Sequence, residues 1–329
     1  ATLVAKTPIL DVKAWQLGGV AGMQVRAKEA NVEKVEREVV LKSLSVTSRL
    51  MLARDAQLVA SEQFEQLQGL VERAEKEQEV GLISRRALLA VKLRASEASE
   101  DVAKAAQALI AAQSQFVIVT GLVKDTVVHW DVGELGEMPS LEKALRQAEK
   151  RPVVLTSTFD LSAAQKAEVA SRTSFLPTAS ASFTWTAASE VAFSDDRSFW
   201  TGRLTTQWPL FLAGARVAEN HAAKSRVRMA STQLQGVQAQ VSLQVKTAHA
   251  DLSVKMRALE TANLGLALSK ESLTLVRQAE SSGSTHAVEL GLENVRHMNA
   301  EHRVRIAEHQ LQLSQVAFLV YSGSEIDMF

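Results

Sequence analysis

The strongest constraint in this sequence is a register. Gly81 and Gly283 interrupt two long spans of helix-forming sequence, Gly121 and Gly323 close the spans that follow, and each pair lies 202 positions apart. Pro8 and Pro209 keep that offset to within one residue. Between them Leu88 falls on Leu290, Ala98 on Ala300, Ala105 on Ala307, Leu109 on Leu311, Gln113 on Gln315 and Phe116 on Phe318. Helices rich in Ala and Leu agree by chance at several positions. A proline, a turn glycine and a terminal glycine all in register point instead to an internal duplication.

The content of each copy follows from its punctuation. The chain has five prolines, none between Pro8 and Pro139 and none after Pro209. Those two spans are rich in Ala, Leu, Gln, Glu, Lys and Arg, the strong helix formers. Each is broken once, at "EVGLISRRALL" and at "SSGSTHAVEL". A glycine there can end one helix in the left-handed conformation, and a hydroxyl just after it can cap the next: Ser84 in the first turn, Ser284 or Thr285 in the second. The unit is a helix hairpin whose first arm, from about Ala21 to Gln78, reaches roughly 85 Å at 1.5 Å per residue.

One stretch breaks the helical pattern. In "FLPTASASFTWTAAS" (175–189) the odd positions from Ala179 to Ala187 are Ala, Ala, Phe, Trp and Ala, and the even positions are Ser or Thr. This period of two predicts a strand with one apolar and one hydroxyl face. "RLTTQWPLF" returns after the polar loop "SEVAFSDDRS", giving a β-hairpin. "TLVAKTPIL" aligns with that returning strand, so the duplication predicts a further strand before residue 1. No eighteen-residue window is uninterruptedly apolar, "FVIVTGLV" being about the longest run. A bilayer crossing would therefore use strands closed into a barrel.

Composition narrows the function classes. The 37 basic and 37 acidic residues cancel, and no basic stripe with interleaved aromatics marks a nucleic-acid surface. Cysteine is absent, which removes thiol catalysis, thiolate metal sites and disulfides. There is no Gly-x-Ser-x-Gly, Walker loop or His-Glu-x-x-His, so no enzymatic activity and no cofactor are expected. His286, His297, His302 and His309 lack the spacing of three or four that puts two ligands on one helical face, so they are read as a wet helix face and no metal is expected. Asp195 and Asp196 are read as a solvent-facing loop tip.

Taken together, "FLPTASASFTWT" and "WPLFLAGARVAENHAAKSRV" around the hairpin, the turns "VGLISRRALLAVKLRASE" and "SGSTHAVELGLENVRHMNAE", the helix ends "FVIVTG" and "FLVYSG", and the linker "SLEKALRQAEKRPVVLTS" resemble the TolC-like outer membrane factors, or outer-membrane efflux proteins. The resemblance covers essentially the whole chain. It implies a mainly α fold with membrane β, in which long antiparallel helix hairpins form a trimeric α-barrel and β-hairpins contribute to a shared outer-membrane β-barrel. Residues 1–10 would then be the strand of repeat 1, 11–121 its helix hairpin and 122–156 a linker and equatorial region. Residues 157–176 would be a helix of repeat 2, 177–212 the transmembrane hairpin, 213–323 the second helix hairpin and 324–329 a tail. Three strands are supplied where the family has four, which calls for a segment before Ala1 or else a fragment unable to close the barrel.

The implied function is a passive export duct of a tripartite efflux or type I secretion system. It would sit in the Gram-negative outer membrane with most of the chain in the periplasm. Its partners would be two further copies in a homotrimer, a periplasmic adaptor (membrane fusion protein), an inner-membrane transporter of RND, ABC or MFS type, and outer membrane lipid. Phe183 and Trp185 would face lipid, Trp200 and Trp208 would sit at the interface, and Ser180, Ser182, Thr184 and Thr186 would line the lumen. Pro8, Pro177 and Pro209 would mark junctions of strand with helix. Gly81, Leu82, Ile83, Ser84, Gly283, Ser284 and Thr285 would dock the adaptor, with Leu82 and Ile83 exposed. Of the family's acidic gate, Glu289 matches the first position; the second falls on Leu292 beside Glu293, and the first-repeat counterpart is Ala87. The rival reading is a soluble periplasmic coiled-coil adaptor or structural helical hairpin, which has no need of the two-faced strand.

Overall fold

A computed structural model of the chain describes residues 2–122, 138–187 and 198–324. Its elements run β1 (Thr2–Leu10), α1 (Val12–Glu79), α2 (Arg85–Thr120), α3 (Leu141–Ala148), α4 (Pro152–Thr173), β2 (Thr178–Ala187), β3 (Ser198–Gln207), α5 (Ala215–Ser281) and α6 (Ala287–Ser322). The duplication is visible in the lengths: 68 and 67 residues for α1 and α5, and 36 for each of α2 and α6. The chain forms two compact units, one of residues 1–35 and 149–241, the other of residues 36–148 and 242–329.

The first unit holds the sheet. Its strands are antiparallel in the order β1-β2-β3, so β2 is central and the other two are edges. Small residues let the helices of this unit approach closely: Ala163, Ala170 and Ser171 of α4, Ala27 and Ala30 of α1, and Ala223 of α5 are all buried. Asn220 Nδ2 donates to Ser171 Oγ at 3.0 Å, and Lys13 pairs with Glu219 at 3.0 Å. Two helix starts fall earlier than the sequence suggested. Helix α1 begins at Val12 rather than near Ala21 because Asp11 caps it, its Oδ1 accepting from the Ala14 amide at 2.8 Å. Gly18, Gly19 and Gly22 stay helical in that first stretch, and the Lys166 side chain lies 3.5 Å from where a Cβ of Gly19 would stand. Helix α4 begins at Pro152, inside the stretch read as linker, because a proline at the first helical position has no amide to leave unpaired.

The second unit is built on repeated contacts. Val46, Leu50 and Ala53 of α1 pack on Ala112 and Phe116 of α2. Nearer the turns, Leu67, Leu70 and Ala74 of α1, Leu88, Val91 and Ala98 of α2, and Val288 of α6 form one cluster. Phe116 and its repeat counterpart Phe318 are among the most deeply buried side chains, 2% and 0% exposed. His249 meets Phe318 edge to face. Helix α2 has a mean hydropathy of 1.3 over its most apolar stretch, enough by length and composition to cross a membrane. Ala112 and Phe116 turn onto α1, while Leu89, Leu93, Ile110 and Ile118 of the same helix are exposed.

Helix α5 carries apolar residues on two opposite sides. Val241, Val245, Ala248 and Leu252 are buried. On the other side Leu243, Val254, Leu264, Leu268 and Leu275 are exposed, and at 100° per residue they fall within a sector of about 80°. A second apolar side of this kind is a surface suited to further packing.

Candidate functional site

The sheet has two chemically distinct faces, and strand register defines them. Phe183 pairs with Ala5 and Gly202, Trp185 with Leu3 and Trp200, and Ala181 with Thr7 and Leu204, all on one face. Phe183 stacks on Trp200 with ring centroids 6.0 Å apart, over the gap left by the glycine. Phe183, Trp185, Trp200 and Leu204 are all exposed on this face. The other face presents Ser180, Ser182, Thr184 and Thr186 of β2, with Thr201 and Thr205 of β3 beside them and the exposed Val4 and Phe199 paired with Thr184 and Thr186. Both edge strands are exposed along their full length. A three-stranded sheet with an outward apolar face and two open edges is incomplete in water and in lipid alike.

The prolines frame the sheet in three different ways. Pro177 directly precedes β2 and Pro209 follows β3 by two residues. Pro8 lies within β1, where the pairing register shifts between Pro8 and Leu10. A residue without an amide donor is tolerated at such an irregularity, so Pro8 marks a bulge and the junction itself is Asp11. Trp208 Nε1 donates to the Phe175 carbonyl at 3.1 Å, tying the exit of β3 to the approach of β2.

The two turns between long helices share one backbone and differ in chemistry. At the first, Gly81 has φ 80° and donates to Gln78 O at 3.0 Å, while Leu82 N donates to Glu77 O at 2.8 Å. At the second, Gly283 has φ 73° and donates to Glu280 O at 2.9 Å, while Ser284 N donates to Ala279 O at 2.8 Å. Both are Schellman closures that need the left-handed glycine. The next helix starts differently. Ser84 Oγ accepts from the Ala87 amide at 3.1 Å and caps α2. The cap position of α6 is His286, whose side chain makes no capping bond, so neither Ser284 nor Thr285 acts as the cap. The 202-residue register puts His286 where Ser84 stands, and the Thr285 hydroxyl instead donates to the Glu289 carboxylate.

Three expectations about the tips and helices change on this geometry. Leu82 is 58% exposed, but Ile83 is half-buried and packs on the cluster of Leu67, Leu70 and Leu88, so the exposed apolar residues of the first turn are Val80 and Leu82 rather than Leu82 and Ile83. Glu289 is exposed, whereas Glu293 is only 5% exposed, and Arg296 Nη1 donates to its Oε2 at 2.7 Å. Burial raises the Glu293 carboxyl, but the Ser272 hydroxyl and the Arg296 guanidinium outweigh it and hold the group below its ordinary value. A carboxylate so enclosed does not line an open path. Nor are all four histidines on a wet face. His302 Nδ1 lies 2.7 Å from Asp55 Oδ2, which also accepts from Arg305 Nε at 3.1 Å, and His297 Nδ1 lies 3.1 Å from Ser269 Oγ. These rings sit in helix contacts, where heptad spacing read from one helix could not place them. Among the described residues no three His, Cys, Asp or Glu side chains converge as a metal site would require.

Residues 145–318 match the family of outer membrane efflux proteins. The chain belongs to the outer membrane efflux protein family. It is thus a channel protein of the Gram-negative outer membrane, of a family whose members are channels and not enzymes, with helical tunnels in the periplasm. Its fold is that of solved outer membrane channels. A membrane protein from Pseudomonas aeruginosa superposes with a TM-score of 0.83 at 16% identity, over 98% of this chain and 76% of the other. The outer membrane channel CmeC of Campylobacter jejuni gives 0.82 at 15%, over 98% and 70%. The open-state MtrE outer membrane channel of Neisseria gonorrhoeae gives 0.78 at 16%, over 98% and 80%. No curated protein sequence matches the chain.

Proposed function

We propose that this outer membrane efflux protein is one protomer of a homotrimeric passive export duct of a tripartite efflux or type I secretion system. The observation that carries the proposal is the sheet, with its apolar face and its two open edges. Strands from other copies would close it into a barrel, with Phe183 and Trp185 toward lipid and the hydroxyl face toward a wet lumen. The exposed stripe of α5, from Leu243 to Leu275, is the helical counterpart and would be covered in the same assembly. A soluble coiled-coil adaptor has use for such a stripe but none for the sheet, which disfavours that alternative.

The turns at Gly81 and Gly283 would dock a periplasmic adaptor, Leu82 supplying the apolar contact. Energy would come from an inner-membrane transporter of RND, ABC or MFS type, the family being one of channels and not of enzymes. Three copies of Glu289 would form an acidic ring that draws cations to the duct. Purified trimer in a planar bilayer tests both levels at once. It should conduct, and Glu289→Gln should lower its cation preference about twofold, as expected for removing one charge per protomer near a narrow path. Absence of conductance overturns the duct. Conductance with unchanged selectivity removes Glu289 alone.

A further inference from the structure

The hydroxyl face of the sheet is not neutral. Lys6 of β1 pairs with Ser182 of β2, and Ser182 pairs with Arg203 of β3, so the three residues form one row straight across the sheet. Lys6 is the fifth of nine residues in its strand and Arg203 the sixth of ten in its own, which puts both cations near mid-strand. Both are exposed, and no described carboxylate pairs with either. Among the described residues these are the only charged side chains on the three strands, and both are positive.

Position fixes what such a row can be for. A lysine or arginine facing lipid at the middle of a membrane strand costs about 2–4 kcal/mol, so the face that holds Lys6 and Arg203 is the aqueous one. Strands lie about 4.8 Å apart, which separates the two backbone positions by about 10 Å across Ser182. That distance is close to the screening length in physiological salt, so the two fields overlap. The wall behind them is membrane-embedded protein of low dielectric, which concentrates the field in the lumen. Hydroxyls alone would leave passage indifferent to charge. With the row in place, the lumen at this height attracts anions and repels cations.

We infer that Lys6 and Arg203 form a cationic girdle in the barrel lumen that favours negatively charged solutes, such as carboxylates and phosphate or sulfate esters, at the outer-membrane step. The inference rests on the duct reading, and the experiment separates the two. Purified full-length protein is placed in a planar bilayer under a potassium chloride gradient, and the reversal potential is compared between wild type and the double variant Lys6→Gln/Arg203→Gln. The chloride-to-potassium permeability ratio should fall about two- to fourfold, the size expected for unit charges some 10 Å from the path in salt water. The fall should shrink as salt rises.

A second arm avoids dependence on how the double variant assembles. Residues 1–329 hold no cysteine, so Arg203→Cys in an open channel can be labelled with either a cationic or an anionic methanethiosulfonate, with the unsubstituted channel treated alike as the control. The cationic adduct should restore the wild-type ratio and the anionic adduct should drive it below that of the unlabelled variant. A conducting channel whose ratio is the same in wild type, variant and both adducts overturns the girdle while leaving the duct intact. A wild type that conducts nothing overturns the duct and the girdle with it.

Discussion

The two tip turns are the same object in backbone and opposites in side chain. Each closes with a left-handed glycine and the same pair of amide bonds, at positions 202 residues apart. On that shared frame the first turn presents Leu82, Ser84, Arg85 and Arg86, while the second presents Ser284, Thr285, His286 and Glu289. Duplication preserved what closes a helix hairpin and released what the hairpin shows to its surroundings. A further pair makes the point inside the molecule. Val91, 1% exposed in the first repeat, becomes Glu293 in the second, 5% exposed and held by Ser272 and Arg296. One copy fills the position with an aliphatic side chain and the other with a compensated charge.

Breaking the difference between the turns should have its largest effect on assembly with an adaptor. Leu82→Arg should weaken capture of the trimer by its adaptor at least tenfold, the loss expected when about 2 kcal/mol of apolar burial is replaced by a charge. Ser284→Arg at the matching site should matter less, and both variants should remain trimeric by light scattering. Equal losses at the two sites would show that the turns are used alike.

The caps offer a smaller and more local test. Ser84→Ala should destabilise the first turn of α2 by about 1 kcal/mol, and His286→Ser should stabilise that of α6 by a similar amount. Hydrogen exchange at the Ala87 and Glu289 amides reads both directly. If His286→Ser leaves the exchange at Glu289 unchanged, the bond that its amide already donates to the His286 carbonyl suffices.

The smallest effect concerns the buried charge. Glu293 has its carboxyl held below the ordinary value of 4.5, so its contribution to folding is complete above that pH and is lost as the pH falls through the lowered native value. Glu293→Gln should flatten the acid limb of the stability profile without moving the neutral plateau by more than about 1 kcal/mol. Val91 offers no such limb, so Glu293→Val should likewise abolish it and make the two repeats alike in acid.

Much of this fold is legible in the sequence, because its signals are local. Pro177 and Pro209 bracket the hairpin, the alternation from Ala179 to Ala187 gives the two faces of β2, and Gly81 and Gly283 close the helices by a conformation that only glycine takes easily. What escaped reading depends on which way a helix turns. Ile83 and Glu293 look exposed on a one-dimensional spacing and are turned inward by contacts with other helices. Spacing within one helix does not reveal the surroundings of His302 and His297, because Asp55 and Ser269, which they meet, lie more than twenty residues away in sequence. The cap at His286 was legible in principle, since the repeat register points to it, and was obscured by the two hydroxyls just before it. Asp11 was equally available as a cap residue directly ahead of a helix.

The lengths of the long helices carry an evolutionary consequence. Within an α-helix one inserted residue turns everything beyond it by about 100°, which would carry a stripe such as that from Leu243 to Leu275 off its neighbour. Seven inserted residues restore the direction to within about 20° and lengthen the helix by about 10 Å. A heptad added to one arm of a hairpin alone would strand its turn beyond the partner arm, and added to one repeat alone would set its tip ahead of the other's. Insertions and deletions in this chain are therefore expected to survive as coordinated heptads, entering α1, α2, α5 and α6 together.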